Sequence, residues 1–314
     1  MLVSIIICTY KRVESMRAVL ACLSSQTFRR FEVLVVDGSG DQSPARLALS
    51  EIVAGMQDSM SIELLASRKG LTVQRNLGLD TARGELILFL DDDVTFDNHF
   101  LESATALLER PDMDNVGGLS GYDIRNFPQP VSLRWRLRSA LRIIPALEPG
   151  NIDRLGRSIP VSFMQPFSGC KPMGYLYGFC MLYRAAAIDG LRFDENLPTY
   201  GGEDRDFSSR IAKRWRLMLC GSLNLEHHCT QQSRDSGVQR TFQAGFGIGR
   251  SFGKNASRIL DYLELARLIL CEFALDAIAC LRAPSREAFL MPFARTGGFV
   301  AGLWSFFRHA GEIA

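Results

Sequence analysis

Glu85-Leu86-Ile87-Leu88-Phe89-Leu90-Asp91-Asp92-Asp93 passes from an unbroken apolar run directly into three carboxylates. A short continuous apolar run ended by polar residues is the pattern of a strand covered on both faces. Upstream, Val3-Ser4-Ile5-Ile6-Ile7-Cys8 and Phe31-Glu32-Val33-Leu34-Val35-Val36 have the same character, and Ile62 to Ala66 supplies a further strand. Between the first two, Glu14 to Ser24 carries Met16, Val19, Leu20 and Leu23 at helical spacing. Strands alternating with helices predict an α/β chain with a parallel sheet and crossover helices. Ligands of such sheets bind beyond the carboxyl ends of the strands. The turn Asp37-Gly38-Ser39-Gly40-Asp41 and the aspartate run at 91–93 are therefore candidate site walls.

The chain has 314 residues, enough for one large domain or two ordinary ones, and 47% hydrophobic residues allow a sizeable core. Lys and Arg total 36 against 34 Asp and Glu, a formal charge of +2, which excludes a surface built as a whole for nucleic acid. The eight cysteines form no C-x-x-C pair, so their spacing suggests neither a zinc knuckle nor a disulfide framework and points to a reducing compartment. The apolar run from Val3 lacks a basic flank and reads as a strand, not a secretory leader. Residues 117–171 mix Pro, Gly and Arg without a clean period and read as a long functional excursion.

Three carboxylates crowded at a strand end are costly without a cation. In an extended segment Asp91 and Asp93 share one side and offer hard oxygen ligands for Mg²⁺ or Mn²⁺, while Asp92 points elsewhere. A solvated acidic loop, or a cap for a helix over 96–108, accounts for the same residues. Gly202-Glu203-Asp204-Arg205-Asp206 sits at a helix start, where carboxylates either cap or serve as a general base. His227 and His228 lie on a short strand and face opposite ways, so at most one reaches a given ion, and one surface histidine beside one satisfied by a core hydrogen bond accounts for the same pair. Arg75, in Gln74-Arg75-Asn76, suits a diphosphate or an ordinary salt bridge.

Taken in order, Ser4 to Arg12, Gln26-Thr27, Phe31 to Ser39, Gly70 to Gly78 and Phe89 to Asp93 resemble family 2 glycosyltransferases of the GT-A fold. Gly178 to Arg184, Gly190 with Phe193-Asp194-Glu195, and Gly202 to Phe207 with Arg210 resemble that family's acceptor-side motifs. The resemblance implies a GT-A (Rossmann-like) α/β domain over 1–228, with a mixed, mainly parallel sheet flanked by helices. Its nucleotide-sugar half would span about 1–116 and its acceptor half about 117–228, followed by a mainly helical extension over 229–314. It further implies an inverting, metal-dependent transfer from a nucleoside-diphosphate sugar, a UDP-sugar first, to a hydroxyl of a glycan or lipid-linked acceptor in cell-envelope polysaccharide or glycolipid synthesis.

Residue by residue, the resemblance puts Asp37 at the nucleobase with Thr9 and Arg12 nearby, and Arg75 along the nucleotide. Asp91 and Asp93 match the D-x-D positions, Asp93 as the more direct metal ligand, and Asp91 and Asp92 count among the donor-binding residues. Asp204 matches the catalytic base and His227 a histidine completing the Mn²⁺ or Mg²⁺ site, with His228 as its alternative. The family's usual Pro and Asn in the first motif are Cys8 and Lys11 here, and the turn after Asp37 is one residue shorter than the common form.

Two other classes share some of these features. A sugar-phosphate nucleotidyltransferase would want a glycine-rich phosphate loop after the first strand, which Cys8 to Arg12 lacks. A silent nucleotide-sugar or glycan-binding module would carry the same motifs without turnover.

Arg134, Arg136, Arg138, Arg142, Arg154 and Arg157 face only Glu148 and Asp153 in their stretch, a basic excess suited to anionic lipid. Residues 259–281 gather Asp261, Glu264, Arg267, Glu272 and Asp276 on one half of a helical wheel, leaving a broad apolar face. Residues 296–307 add an aromatic run. These features predict a cytoplasmic protein peripheral on the inner face of the membrane, or one whose terminal helices pack on the catalytic domain or form a homodimer.

Overall fold

The computed structural model describes residues 1–144, 148–229 and 235–309. They fall into two compact units. The first comprises the described residues of Met1–Gln129, Ser162–Phe193 and Phe207–Ser233, the second those of Pro130–Val161, Asp194–Asp206 and Arg234–Ala314. Segments 130–161 and 194–206 thus group with the C-terminal helices.

Along the chain the first unit runs β1 (Val3–Thr9), α1 (Val13–Ser24), β2 (Phe31–Asp37), α2 (Pro44–Ala54), β3 (Ser61–Ala66), α3 (Leu71–Thr81) and β4 (Leu86–Asp91). It continues through β5 (Val94–Phe96), α4 (Phe100–Leu108) and β6 (Val116–Asp123). After α5 (Leu133–Ala140) of the second unit come β7 (Cys170–Met173), β8 (Cys180–Arg184), α6 (Ala185–Ile188), α7 (Glu203–Ile211) and β9 (Arg216–His227). The second unit closes with α8 (Gly237–Asn255), α9 (Ile259–Arg282) and α10 (Arg286–His309).

The strands form one mixed sheet in the order β3-β2-β1-β4-β8-β6-β9-β5, with β7 also on β9. β3, β2, β1 and β4 are mutually parallel, and β8 joins β4 antiparallel. The helical spacing of α1 buries Met16, Val19, Leu20 and Leu23. α2 starts where Ser43 Oγ accepts from the Arg46 amide and Pro44 presets the first turn. α3 lies close on β1 because residue 78 is glycine, where a Cβ would meet Ile6 Cγ2 at 2.4 Å.

Register then places the site. Thr9 pairs with Asp37 and Cys8 with Asp91, so carboxylates end the strands on both sides of β1. Two expectations are corrected. Residues 94–96 are a strand and the following helix begins at Phe100, because β5 is claimed by backbone pairing to β9. The excursion over 117–171 contains β6, every residue of which is buried.

Cys170 and Cys220 stand opposite each other in the β7–β9 ladder and are disulfide-bonded. Their separation of 50 residues left no trace in the cysteine spacing.

In the second unit α8 and α10 touch backbone to backbone. A Cβ at Gly249 would sit 2.1 Å from the Phe299 carbonyl oxygen, and one at Gly302 would sit 1.9 Å from that of Phe246. The unit's core gathers Ile143, Leu155, Phe252, Leu265, Leu268 and Phe299. Around it lie buried carboxylates paired with arginines: Glu272 with Arg134 and Arg138, Asp276 with Arg134 and Arg295, and Asp261 with Arg154. Arg250 is fully buried, with Nε 2.6 Å from Asp194.

These pairs correct the charge reading of the sequence. Arg134, Arg138, Arg154 and Arg157 are engaged by carboxylates and do not form a free basic patch. Asp261, Glu272 and Asp276, gathered by the helical wheel on one half of α9, are among its buried residues. No helix among the described residues is long and apolar enough to cross a membrane.

Candidate active site

β4 carries the aspartate run out of the sheet core, and β5 returns beside β9 with Val94 opposite His227. This ladder brings His227 back to the end of β4. One ligand atom from each of Asp91, Asp93 and His227 lies within 4.8 Å of the others. His227 Nε2 is 3.1 Å from Asp93 Oδ1, and its ring packs against Phe179 with centroids 4.8 Å apart. His228 turns away, its Nε2 2.8 Å from Thr95 Oγ1.

Two carboxylates and an imidazole, mostly withdrawn from water, are a donor set suited to Mn²⁺ and compatible with Mg²⁺. Burial pushes the Asp91 carboxyl above its ordinary range, although Arg75 and His227 pull the other way. For His227, burial opposes the charged form, but the hydrogen bond to Asp93 and the charges of Asp91, Asp93 and Asp123 outweigh it and raise its pKa.

Asp92 faces β1. Thr9 Oγ1 donates to its Oδ2 at 2.6 Å and Arg12 to its Oδ1 at 2.7 Å, while burial raises its pKa to about 6. Arg12 also lies 3.6 Å from Asp93 Oδ2, so Thr9, Arg12 and Asp92 together brace the run.

On the other side of β1, Asp37 is buried at the end of β2. Its Oδ1 accepts from the Ser39 amide at 3.0 Å and from the Ser39 hydroxyl at 2.6 Å. Its Oδ2 has no hydrogen-bond partner among the described residues, the nearest cation being Arg46 at 3.7 Å. Gln74 Nε2 donates to the carbonyls of Thr9 and Val36, tying together the two strand ends that carry the site. Arg75 is buried over the Phe193 ring, donates to the Gly178 carbonyl at 2.8 Å and lies 3.6 Å from Asp91.

Asp204 belongs to the second unit, half-buried in the first turn of α7, and its Oδ1 accepts from the Arg205 amide at 2.8 Å. The residues of the metal cluster and of the Asp37 wall belong to the first unit.

Sequence reading assigned no role to three contributors. Asp123 ends the glycine-rich β6 and its Oδ1 lies 3.4 Å from the His227 amide. Phe179 backs the imidazole. Gln74 was visible only as a neighbour of Arg75. Burial pushes the Cys8 and Cys180 thiols up to about 12.

Known proteins are similar to this chain in sequence and in fold. The chain is 26% identical over 312 residues to the succinoglycan biosynthesis protein ExoM of Rhizobium meliloti, covering 95% of this chain and 91% of ExoM. It is 25% identical over 258 residues to the dodecaprenyl-phosphate galacturonate synthase of Rhizobium johnstonii, covering 80% and 71%. Among solved structures, the mannosyltransferase PcManGT of Pyrobaculum calidifontis, in complex with GDP-Man and Mn²⁺, superposes with a TM-score of 0.58 at 17% identity, covering 96% and 87%. Residues 1–349 of S. aureus TarS with UDP-GlcNAc superpose with a TM-score of 0.52 at 17% identity, covering 99% and 92%. The model of the family described as "Glycosyl transferase family 2" matches residues 4–192, well over half of the sequence, and the chain belongs to that family.

Proposed function

We propose that the protein transfers a sugar, with inversion, from a nucleoside-diphosphate sugar to a hydroxyl of a glycan or lipid-linked acceptor in envelope polysaccharide or glycolipid synthesis. The observation that carries this reading is the convergence of Asp91, Asp93 and His227 at the carboxyl end of β4. A divalent cation held there would neutralise charge on the leaving diphosphate. Asp37 supports the donor side, because its buried Oδ2 fits a nucleobase ring N–H as the partner absent among the described residues. Arg75, already held by Gly178, aligns the nucleotide by charge.

Asp204 acts as general base. It takes the proton of the acceptor hydroxyl as that oxygen bonds to the anomeric carbon, while the bond from that carbon to the diphosphate oxygen breaks on the opposite face. No covalent enzyme intermediate is required. UDP-sugars are the first donors to try, and a GDP-sugar is the second, given the ligands of TarS and PcManGT. The relation to a dodecaprenyl-phosphate galacturonate synthase supports a lipid-linked acceptor, and an acceptor of that kind fits a peripheral place at the inner membrane face.

The test is release of nucleoside diphosphate from a panel of nucleotide sugars, with Mn²⁺, with Mg²⁺ and with chelator. Metal-dependent release with one donor supports the reading. Donor binding without turnover, in the presence of candidate acceptors, would make the protein a binding module.

A further inference from the structure

α9 and α10 are built with their polarity reversed. Asp261, Glu272 and Asp276 of α9 point inward to arginines, Glu264 pairs with Arg267 at half-exposed positions, and the exposed row Ile259, Leu263, Leu270, Phe273, Ile278 and Leu281 is apolar at spacings of three to seven residues. Leu270 is 71% exposed and Leu281 83%. α10 repeats the device with Phe289, Phe293, Val300, Trp304 and Phe307, and Trp304 is 61% exposed. The two rows meet where the Phe273 and Phe293 rings stack edge to face, centroids 5.6 Å apart. Eleven exposed apolar side chains thus lie on two contacting helices, where soluble proteins ordinarily show such side chains singly.

We infer that the joint outer face of α9 and α10 lies in the interfacial layer of an anionic lipid bilayer, a proposal that rests on the peripheral location proposed above. Three observations select lipid as the occupant. Neither helix is apolar enough to span, so the face lies flat in the interface. Exposed Arg282 and Arg286 stand where the two helices meet and exposed Arg308 at the far end of α10, positions suited to lipid phosphates. Arg308 also lies 5.3 Å from the centre of the Trp304 ring, an aromatic and cation pair of the kind found at headgroup level.

The full-length protein is sedimented with vesicles of phosphatidylglycerol and phosphatidylcholine, and with phosphatidylcholine alone. Binding to the anionic vesicles is expected, with a blue shift of tryptophan emission that disappears in Trp304→Phe. Leu270→Glu with Leu281→Glu should weaken binding on the order of tenfold per leucine, since each loses a buried apolar side chain in the bound state. Both positions are exposed, so the fold tolerates the change. Arg282→Glu with Arg286→Glu should abolish the preference for anionic vesicles. Release of nucleoside diphosphate in solution should be unchanged in all three variants, which separates this inference from the sugar-transfer reading. Absence of vesicle binding overturns the inference, as does binding indifferent to the leucines. A dimer that the leucine substitutions dissociate, with no vesicle binding, assigns the face to a second copy and also overturns it.

Discussion

His227 stands opposite Val94 in the β5–β9 ladder, and that single cross-strand pairing sets its Nε2 3.1 Å from Oδ1 of Asp93. The adjacent His228 leaves on the other side toward Thr95. His227→Ala should therefore weaken Mn²⁺ affinity at least tenfold more than His228→Ala, as titration calorimetry with Mn²⁺ and nucleoside diphosphate would read. Equal losses would place the ion elsewhere.

Asp93→Ala should remove the Mn²⁺-dependent rise in melting temperature that nucleoside diphosphate produces, together with most transfer activity. A methyl group cannot coordinate a hard cation. Persistence of that rise in the folded variant would count against the assignment.

Asp204→Asn should keep donor affinity while lowering turnover by about 10²–10⁴, the usual contribution of a positioned general base. Donor affinity and saturated rate are measured side by side. Loss of affinity with an intact rate would make Asp204 a binding residue.

The second unit should be acid-labile. In Glu272, Asp276 and Asp194 burial favours the protonated form, but arginine partners, with Lys254 at Asp194, outweigh it and hold all three below the ordinary carboxylate range. A lowered folded-state pKa contributes stability that is present above about pH 4 and is lost as pH falls below it. Melts followed by circular dichroism from neutral pH downward should show the helical transition falling steeply in that window. Arg134→Ala with Arg138→Ala, which leaves Glu272 short of both arginines, should lower the melting temperature at pH 7 and flatten the acid dependence.

Gly302→Ala should destabilise the protein by about 1–3 kcal/mol, since the added methyl is driven against the Phe246 carbonyl and the two helices must part. Gly297→Ala, whose Cβ would meet only a ring atom at 3.8 Å, is the control and should be close to neutral or slightly stabilising.

The buried strands β1, β2 and β4 were legible because each is an uninterrupted apolar run, and the carboxylates at their ends were legible for the same reason. β6 was not. Its glycines carry no strand propensity, yet they are required: a Cβ at Gly118 would meet the Tyr183 ring at 2.5 Å, and one at Gly121 the Leu223 carbonyl at 2.6 Å. Close approach by neighbouring strands is a tertiary demand that a local pattern cannot express. The choice between His227 and His228 depended on register with β5, and the burial of Asp261, Glu272 and Asp276 on arginines far away in sequence. A helical wheel assigns charge to the outside by default, and in α9 that default fails because enough arginines converge to neutralise the acids inside.

The contact of α8 with α10 at Gly249 and Gly302 also fixes an angle. With two backbones touching, neither helix can rotate about its axis without forcing a side chain into a space that holds only hydrogen. Rotation of α10 by one residue, about 100°, would swing Trp304 and Phe293 off the outer side and bring bulky neighbours into the seam. The glycines thus act as a detent, and the direction in which the aromatic row points is set by residues on the opposite side of the helix that never touch what the row meets.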